Sequence, residues 1–195
     1  MTVTEPSAFN GSIDEQPVAL LSTGTPPIIS AAVNGIPGSY MLDFGNAGPL
    51  FFFRAFVESH QSSIDLSHSV TEKVPGVVGG DLEAKLTRIE SFSIGPHLRR
   101  GAVAAVVQNQ SGAFASKSLA GNIGAEILSR FTVTLDYAHA RAYFEPNSRY
   151  GDLFPARGPA YRMTPPQRAP WSPRCFGRDR LRLRQALTPA IGYSR

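Results

Sequence analysis

Apolar positions in this chain come in short clusters cut apart by glycine, proline and asparagine, a pattern that predicts strands and tight turns in place of long helices. Val18, Ala19, Leu20 and Leu21 form the first cluster. Gly24 and the Pro26-Pro27 pair then lead into Ile28, Ile29 and Val33, where the prolines suit a strand entry. Asn34-Gly35, with Pro37-Gly38 close behind, predicts a β-hairpin between Ile28 to Val33 and Ser39 to Leu42, and its second strand runs straight into Asp43. After Gly48-Pro49, the aromatic run from Leu50 to Val57 predicts a strand tip and then a short helix over about 53–60. Phe51, Phe52 and Phe53 cannot all face one side, so at least one is expected to be partly exposed or in an interface.

Val74 to Gly80 is glycine-rich, and Leu82 to Ile94 then alternates as a strand, with Gly95-Pro96 turning the chain behind it. Ala102 to Val107 is an apolar run of strand length. Ala125, Ile127, Leu128 and Phe131 fall at helical spacing after a glycine-marked turn at Gly121, Thr132 to Leu135 reads as a strand, and Ala142 to Phe144 is a last short strand ended by Pro146. The pattern as a whole predicts a mainly-β single domain over 18–150 with one or two short helices, preceded by an N-terminal extension over 1–17. Arginine and proline crowd the remainder, 151–195, with little apolar periodicity, and such composition argues disorder.

Charge sharpens that division. Residues 156–195 hold nine of the 19 basic residues and one of the 15 acidic ones, a net of +8, while residues 1–155 hold ten basic and 14 acidic, a net of −4. The basic character of the whole chain thus belongs to its tail, and the body gives no reason to expect nucleic acid as a partner. No apolar run reaches the roughly 18 residues a membrane span needs, and the polar, mildly acidic start from Met1 to Asp14 is not a signal-peptide pattern, so a soluble protein is expected. Cys175 is the single cysteine, which excludes an internal disulfide framework or a cysteine-based metal site. His60, His68, His97 and His139 are scattered without the close pairing of zinc ligands, so solvated or loosely packed rings are expected, with no metal and no cofactor.

The chemistry sits where the hairpin ends. Tyr40-Met41-Leu42-Asp43-Phe44-Gly45-Asn46-Ala47 is an apolar strand delivering a carboxylate to a tight turn, with glycine available for close approach of neighbouring chain. By itself Asp-x-Gly is an ordinary turn with an Asx hydrogen bond. A second element follows about 80 residues later: Ala120-Gly121-Asn122-Ile123-Gly124-Ala125-Glu126-Ile127-Leu128, then Thr132-Val133-Thr134-Leu135-Asp136-Tyr137. Together, apolar-Asp-x-Gly, a later Gly-x-Ile-Gly-x-x-x-Leu and a strand ending Asp-Tyr resemble the retropepsin-like aspartic proteases, bacterial members especially, over about two-thirds of the chain.

That resemblance implies a single acid-protease lobe, a small closed β-barrel, with Asp43 as its one catalytic carboxylate and Phe44, Gly45 and Asn46 completing the active-site turn. It implies that Asn122, Ile123 and Gly124 form a supporting turn, and that Gly76, Val77, Val78, Gly79 and Gly80 form a substrate-binding flap. Asp136 would be structural, closing a strand-end turn. The mechanism implied needs two aspartates, because two carboxylates held close cannot both ionise: one stays protonated as acid while the other activates a water. A lobe with one requires a homodimer or a second lobe on another chain, with a peptide or protein as substrate.

Two departures qualify the match. Phe44 stands where the family carries Thr or Ser, whose hydroxyl braces the two loops across the dimer axis; a lobe that binds extended peptide without cutting it is therefore the alternative. The family-like text stops near Phe154, whereas similar bacterial proteins, often exported, look two-lobed with a PDZ module behind the second lobe. An Arg/Pro-rich run at that point is what a shifted reading frame in GC-rich DNA would produce, and a truncated or frameshifted fragment is expected. A nucleic-acid or membrane-surface binder working through the tail has only charge behind it, since Tyr161, Trp171 and Tyr193 lie too far apart to form a stacking platform.

Overall fold

Asn34 and Gly35 both take left-handed backbone, φ 49° and 79°, as a tight hairpin turn between twisted strands requires. The hairpin predicted there forms, with Ile28 opposite Met41 and Val33 opposite Ile36. The computed structural model describes residues 14–22, 26–75, 81–107 and 116–154, and the backbone of two short strands at 2–3 and 184–185. In chain order the elements are β1 (Thr2–Val3), β2 (Val18–Ser22), β3 (Ile28–Val33), β4 (Ile36–Leu42), β5 (Leu50–Phe52), α1 (Arg54–Ser59), β6 (Val70–Pro75), β7 (Asp81–Arg88), β8 (Ser91–Ile94) and β9 (His97–Arg100). They continue with β10 (Val103–Val107), β11 (Gly121–Ile123), α2 (Ala125–Leu128), β12 (Phe131–Asp136), β13 (Arg141–Pro146) and β14 (Arg184–Gln185). The fold is mainly β with two short helices, as the sequence pattern predicts.

The sheet is not closed, which corrects the small closed barrel expected from the resemblance. Its path runs β1-β14-β12-β13-β2-β3-β4-β11-β5-β10-β7-β6, and its two end strands do not meet. The reason lies at β3, whose outer edge is divided: Ile28 and Ile29 pair with β2, while Ala32 and Val33 pair with β8. One edge feeding two strands makes the sheet fork instead of continuing around a barrel.

Strand alternation fills two cores. Ala104 and Val106 of β10 join the main core with Tyr40, Leu42, Phe52 and Ile123, while Ala105 and Val107 point the other way into a smaller cluster with Phe51, Ala84 and Leu86. Because both faces of β5 are covered, none of the three consecutive phenylalanines is exposed: Phe51, Phe52 and Phe53 are all buried, against expectation. The stretch from Leu82 to Ile94 is not one strand either; it breaks between Arg88 and Ser91 so that β8 can turn at Gly95, φ 53°, and pair with β9. Strand β9 and the 71–73 centre of β6 are largely polar, carry no alternation signal, and form through pairing with β8 and β7. Phe131, read as the end of a helix, opens β12, and α2 is a single turn.

Packing against Arg130 reaches residues past 150. Arg130, 4% exposed, donates from its guanidinium to the carbonyls of Glu126, Arg149, Asp152 and Leu153 and stacks over Phe154 at 4.1 Å. The tail beyond 154 lies outside the described residues except for β14, which runs parallel to β12. His97 is packed against the Phe131 and Tyr150 rings and pairs with Glu15 at 3.2 Å, unlike the exposed His68 and His139. Among the described residues no helix is long and apolar enough to cross a membrane.

Candidate active site

Strands β4 and β5, joined by the turn that carries Asp43, are not neighbours. β11 inserts between them, parallel to β4 with Asn122 opposite Met41, and antiparallel to β5 with Asn122 opposite Phe51. The supporting turn expected over Asn122, Ile123 and Gly124 is therefore corrected: Asn122 and Ile123 are strand, and Gly124 is the N-cap of α2. The insertion delivers the second sequence element against the first. Asp43 N donates to the Ile123 carbonyl at 3.1 Å, and the backbone N–H groups of Ala125 and Glu126 donate to the carbonyls of Asn46 at 2.7 Å and Gly48 at 3.1 Å.

Asp43 is half-buried. Its Oδ1 accepts from the backbone N–H of Gly45 at 3.0 Å and of Asn46 at 3.1 Å, the Asx arrangement that Asp-x-Gly favours. Its Oδ2 accepts from Asn122 Nδ2 at 2.9 Å. Asn122 Oδ1 in turn accepts from Asn46 Nδ2 at 2.9 Å, and Asn46 Oδ1 accepts from Gly48 N at 2.8 Å. The Phe44 side chain is partly buried and packs against the main core.

The close backbone approach expected at Gly45 occurs elsewhere. Among the described residues, a Cβ on Gly45 would meet only Asp43 Oδ1, at 3.4 Å, whereas one on Gly124 would lie 2.4 Å from the Gly48 carbonyl oxygen and 2.6 Å from that of Pro49. Space for the turn is thus made by Gly124, and Gly45 contributes an N–H. The flap residues Gly76, Val77, Val78, Gly79 and Gly80 lie outside the described residues. They connect β6 to β7, which pair antiparallel with Pro75 opposite Asp81, on the arm of the sheet that reaches β5 through β10.

Other polar clusters have plainer roles. Asp136 closes its strand-end turn by accepting from His139 N at 3.1 Å and pairing with His139 Nδ1 at 2.7 Å. Asp65, Ser67 and His68 hold the residue types of a hydrolytic triad, but Ser67 Oγ and Asp65 Oδ2 both meet the same ring nitrogen, His68 Nδ1, on an exposed turn. A proton relay needs the two ring nitrogens in different roles, so this is a local turn bond. The hydrogen bond to Ser67 is the main reason the Asp65 carboxyl lies below its ordinary range.

One aspartate thus stands in the turn after β4, and β11, from far along the chain, is threaded beside it. No protein-family model matches the chain, and no curated protein matches it. Among solved structures the chain is similar to the crystal structure of a retropepsin-like aspartic protease from Rickettsia conorii, at 18% sequence identity over 69% of this chain and 92% of that chain, with a TM-score of 0.50. At that identity the similarity is one of fold, and the fold of this chain is retropepsin-like.

Proposed function

We propose that the chain is one lobe of an aspartic-type endopeptidase, hydrolysing peptide bonds with a water activated between Asp43 and a second aspartate supplied in trans by a homodimer partner or another lobe. The observation that carries this reading is the fixed presentation of the Asp43 carboxylate, held by two backbone N–H groups and one amide at the end of β4. In the reaction the ionised aspartate of the pair removes a proton from the water, whose oxygen adds to the scissile carbonyl carbon. The protonated aspartate hydrogen-bonds the carbonyl oxygen, and proton return to the amide nitrogen releases the amine and the new carboxylic acid. The β6–β7 arm carries the loop 76–80, which would cover an extended peptide as a flap.

A second reading, a lobe that binds extended peptide without cutting it, is favoured by Phe44, which offers no hydroxyl to the dimer axis. One experiment separates the two. The full chain, shown to be folded and concentrated enough to dimerise, is incubated with a mixed peptide library at pH values from about 3 to 7, beside Asp43→Asn. The endopeptidase reading expects cleavage on the acid side of neutrality, more than linear in protein concentration, and at least about 100-fold weaker in the variant. Binding of library peptides without cleavage supports the non-catalytic lobe.

A further inference from the structure

Position 44 carries a ring where a hydroxyl is expected, and position 122, which the Gly-x-Ile-Gly pattern leaves open, carries an amide. Asn122 is only 6% exposed, and both ends of its amide are occupied: Nδ2 donates to Asp43 Oδ2 at 2.9 Å, and Oδ1 accepts from Asn46 Nδ2 at 2.9 Å. The reverse orientation would set the Asn122 oxygen against a carboxylate oxygen and the Asn122 amide nitrogen against the Asn46 amide nitrogen, so only one rotamer satisfies the network. Asn46 is itself fastened at Gly48 N and, through its carbonyl, at Ala125 N. The carboxylate is thus gripped from β11, from its own turn and from α2.

We propose that Asn122, oriented by Asn46, is the positioning residue of the Asp43 carboxylate, bracing it from within one lobe in place of the hydroxyl that would brace it between lobes. This rests on the endopeptidase reading of the same site. An apolar residue at 122 would leave Asp43 Oδ2 without its donor and the turn free to rotate the carboxyl plane away from a partner aspartate. Phe44 is then an accompaniment of an alternative bracing scheme, seated on the core, and not in itself a lesion.

The test compares the full chain with Asn122→Leu and with the double variant Asn122→Leu/Phe44→Thr, each checked for folding by thermal unfolding. Misplacing one reacting group by about 1 Å costs on the order of 100-fold in rate, so Asn122→Leu should lower kcat by about that factor with KM changed less than about two-fold. Restoring the hydroxyl in the double variant should recover at least about ten-fold, which loss of stability alone would not allow. A folded Asn122→Leu with unchanged kcat overturns the proposal. A second readout does not depend on cleavage or on that variant folding: in the 15N NMR spectrum of the full chain, Asp43→Ala should speed exchange of the Asn122 side-chain N–H protons by at least about ten-fold. Unchanged exchange overturns the bracing. Accelerated exchange in a protein that cleaves nothing upholds the bracing and overturns the endopeptidase reading.

Discussion

Tyr40 shows how far a single residue can depart from local rules inside a well-formed strand. Its ring is fully buried, packed edge-on against Phe56 and Phe92, and its hydroxyl has no hydrogen-bond partner among the described residues. Desolvation by burial pushes the phenol above its ordinary range. A buried hydroxyl without a partner carries its full desolvation cost, while the ring contacts do not need it. Tyr40→Phe is therefore expected to stabilise the protein by about 1 kcal/mol, read as a higher urea midpoint at unchanged slope. A loss of stability would reveal an acceptor within reach of the hydroxyl. Nothing in the sequence marks this cost, since an aromatic at position 40 is what a core-facing strand position asks for; the missing acceptor is a property of the surrounding elements.

At the scale of elements, the inserted strand β11 decides the site. It fits between β4 and β5 only because Gly121 has no side chain: a Cβ there would lie 2.0 Å from the Phe51 carbonyl oxygen, a backbone atom of the neighbouring strand. Gly121→Ala must push β11 off β5, and overpacking against backbone is expected to cost at least about 2 kcal/mol, measured by denaturant unfolding. Gly151→Ala serves as the comparison, since a Cβ there meets nothing within 4 Å among the described residues, and its unfolding midpoint should stay close to that of the parent. If Gly121→Ala matched Gly151→Ala, the threading of β11 would be wrong. The motif around Gly121 and Gly124 was legible in the sequence as a glycine-marked turn. That it is a strand with a one-turn helix behind it was not, because the two residues between these glycines carry no period of their own.

The molecule as a whole is tied together by Arg130, which sits just behind α2 and holds the chain from Arg149 to Phe154. Burial, and next the nearby Arg99 charge, lower the guanidinium from its ordinary value. Four carbonyls take its donors in place of a carboxylate. Arg130→Met keeps much of the stem and removes the guanidinium donors, while the Arg149 carbonyl keeps Asp152 N and the Asp152 carbonyl keeps Arg99. The expected loss is about 2–3 kcal/mol, with the amides of 149–154 gaining exchange before those of β12 and β13. Uniform exchange across all three segments would show that the clamp is not a local one. Through Ala125 N on the Asn46 carbonyl, the same helix that precedes the clamp touches the turn that carries Asp43.

Periodicity and turn chemistry, read along the sequence, determined what depends on near neighbours: the Asn34-Gly35 hairpin, the helix after Phe53, the strand that delivers Asp43 and the turn at Asp136. The retropepsin-like fold was also legible, because its two motifs are each local and their order is preserved. Tertiary structure alone decided the rest. The fork at β3 and the open sheet follow from strand registers between distant segments, and polar stretches such as β9 and the centre of β6 exist only because a partner edge satisfies their backbone. The meeting of Asn122 with Asp43, 79 residues apart, belongs to the same class. Rules of local propensity end within a few residues, and a hydrogen bond across the sheet forms only when the chain between its ends has found its course.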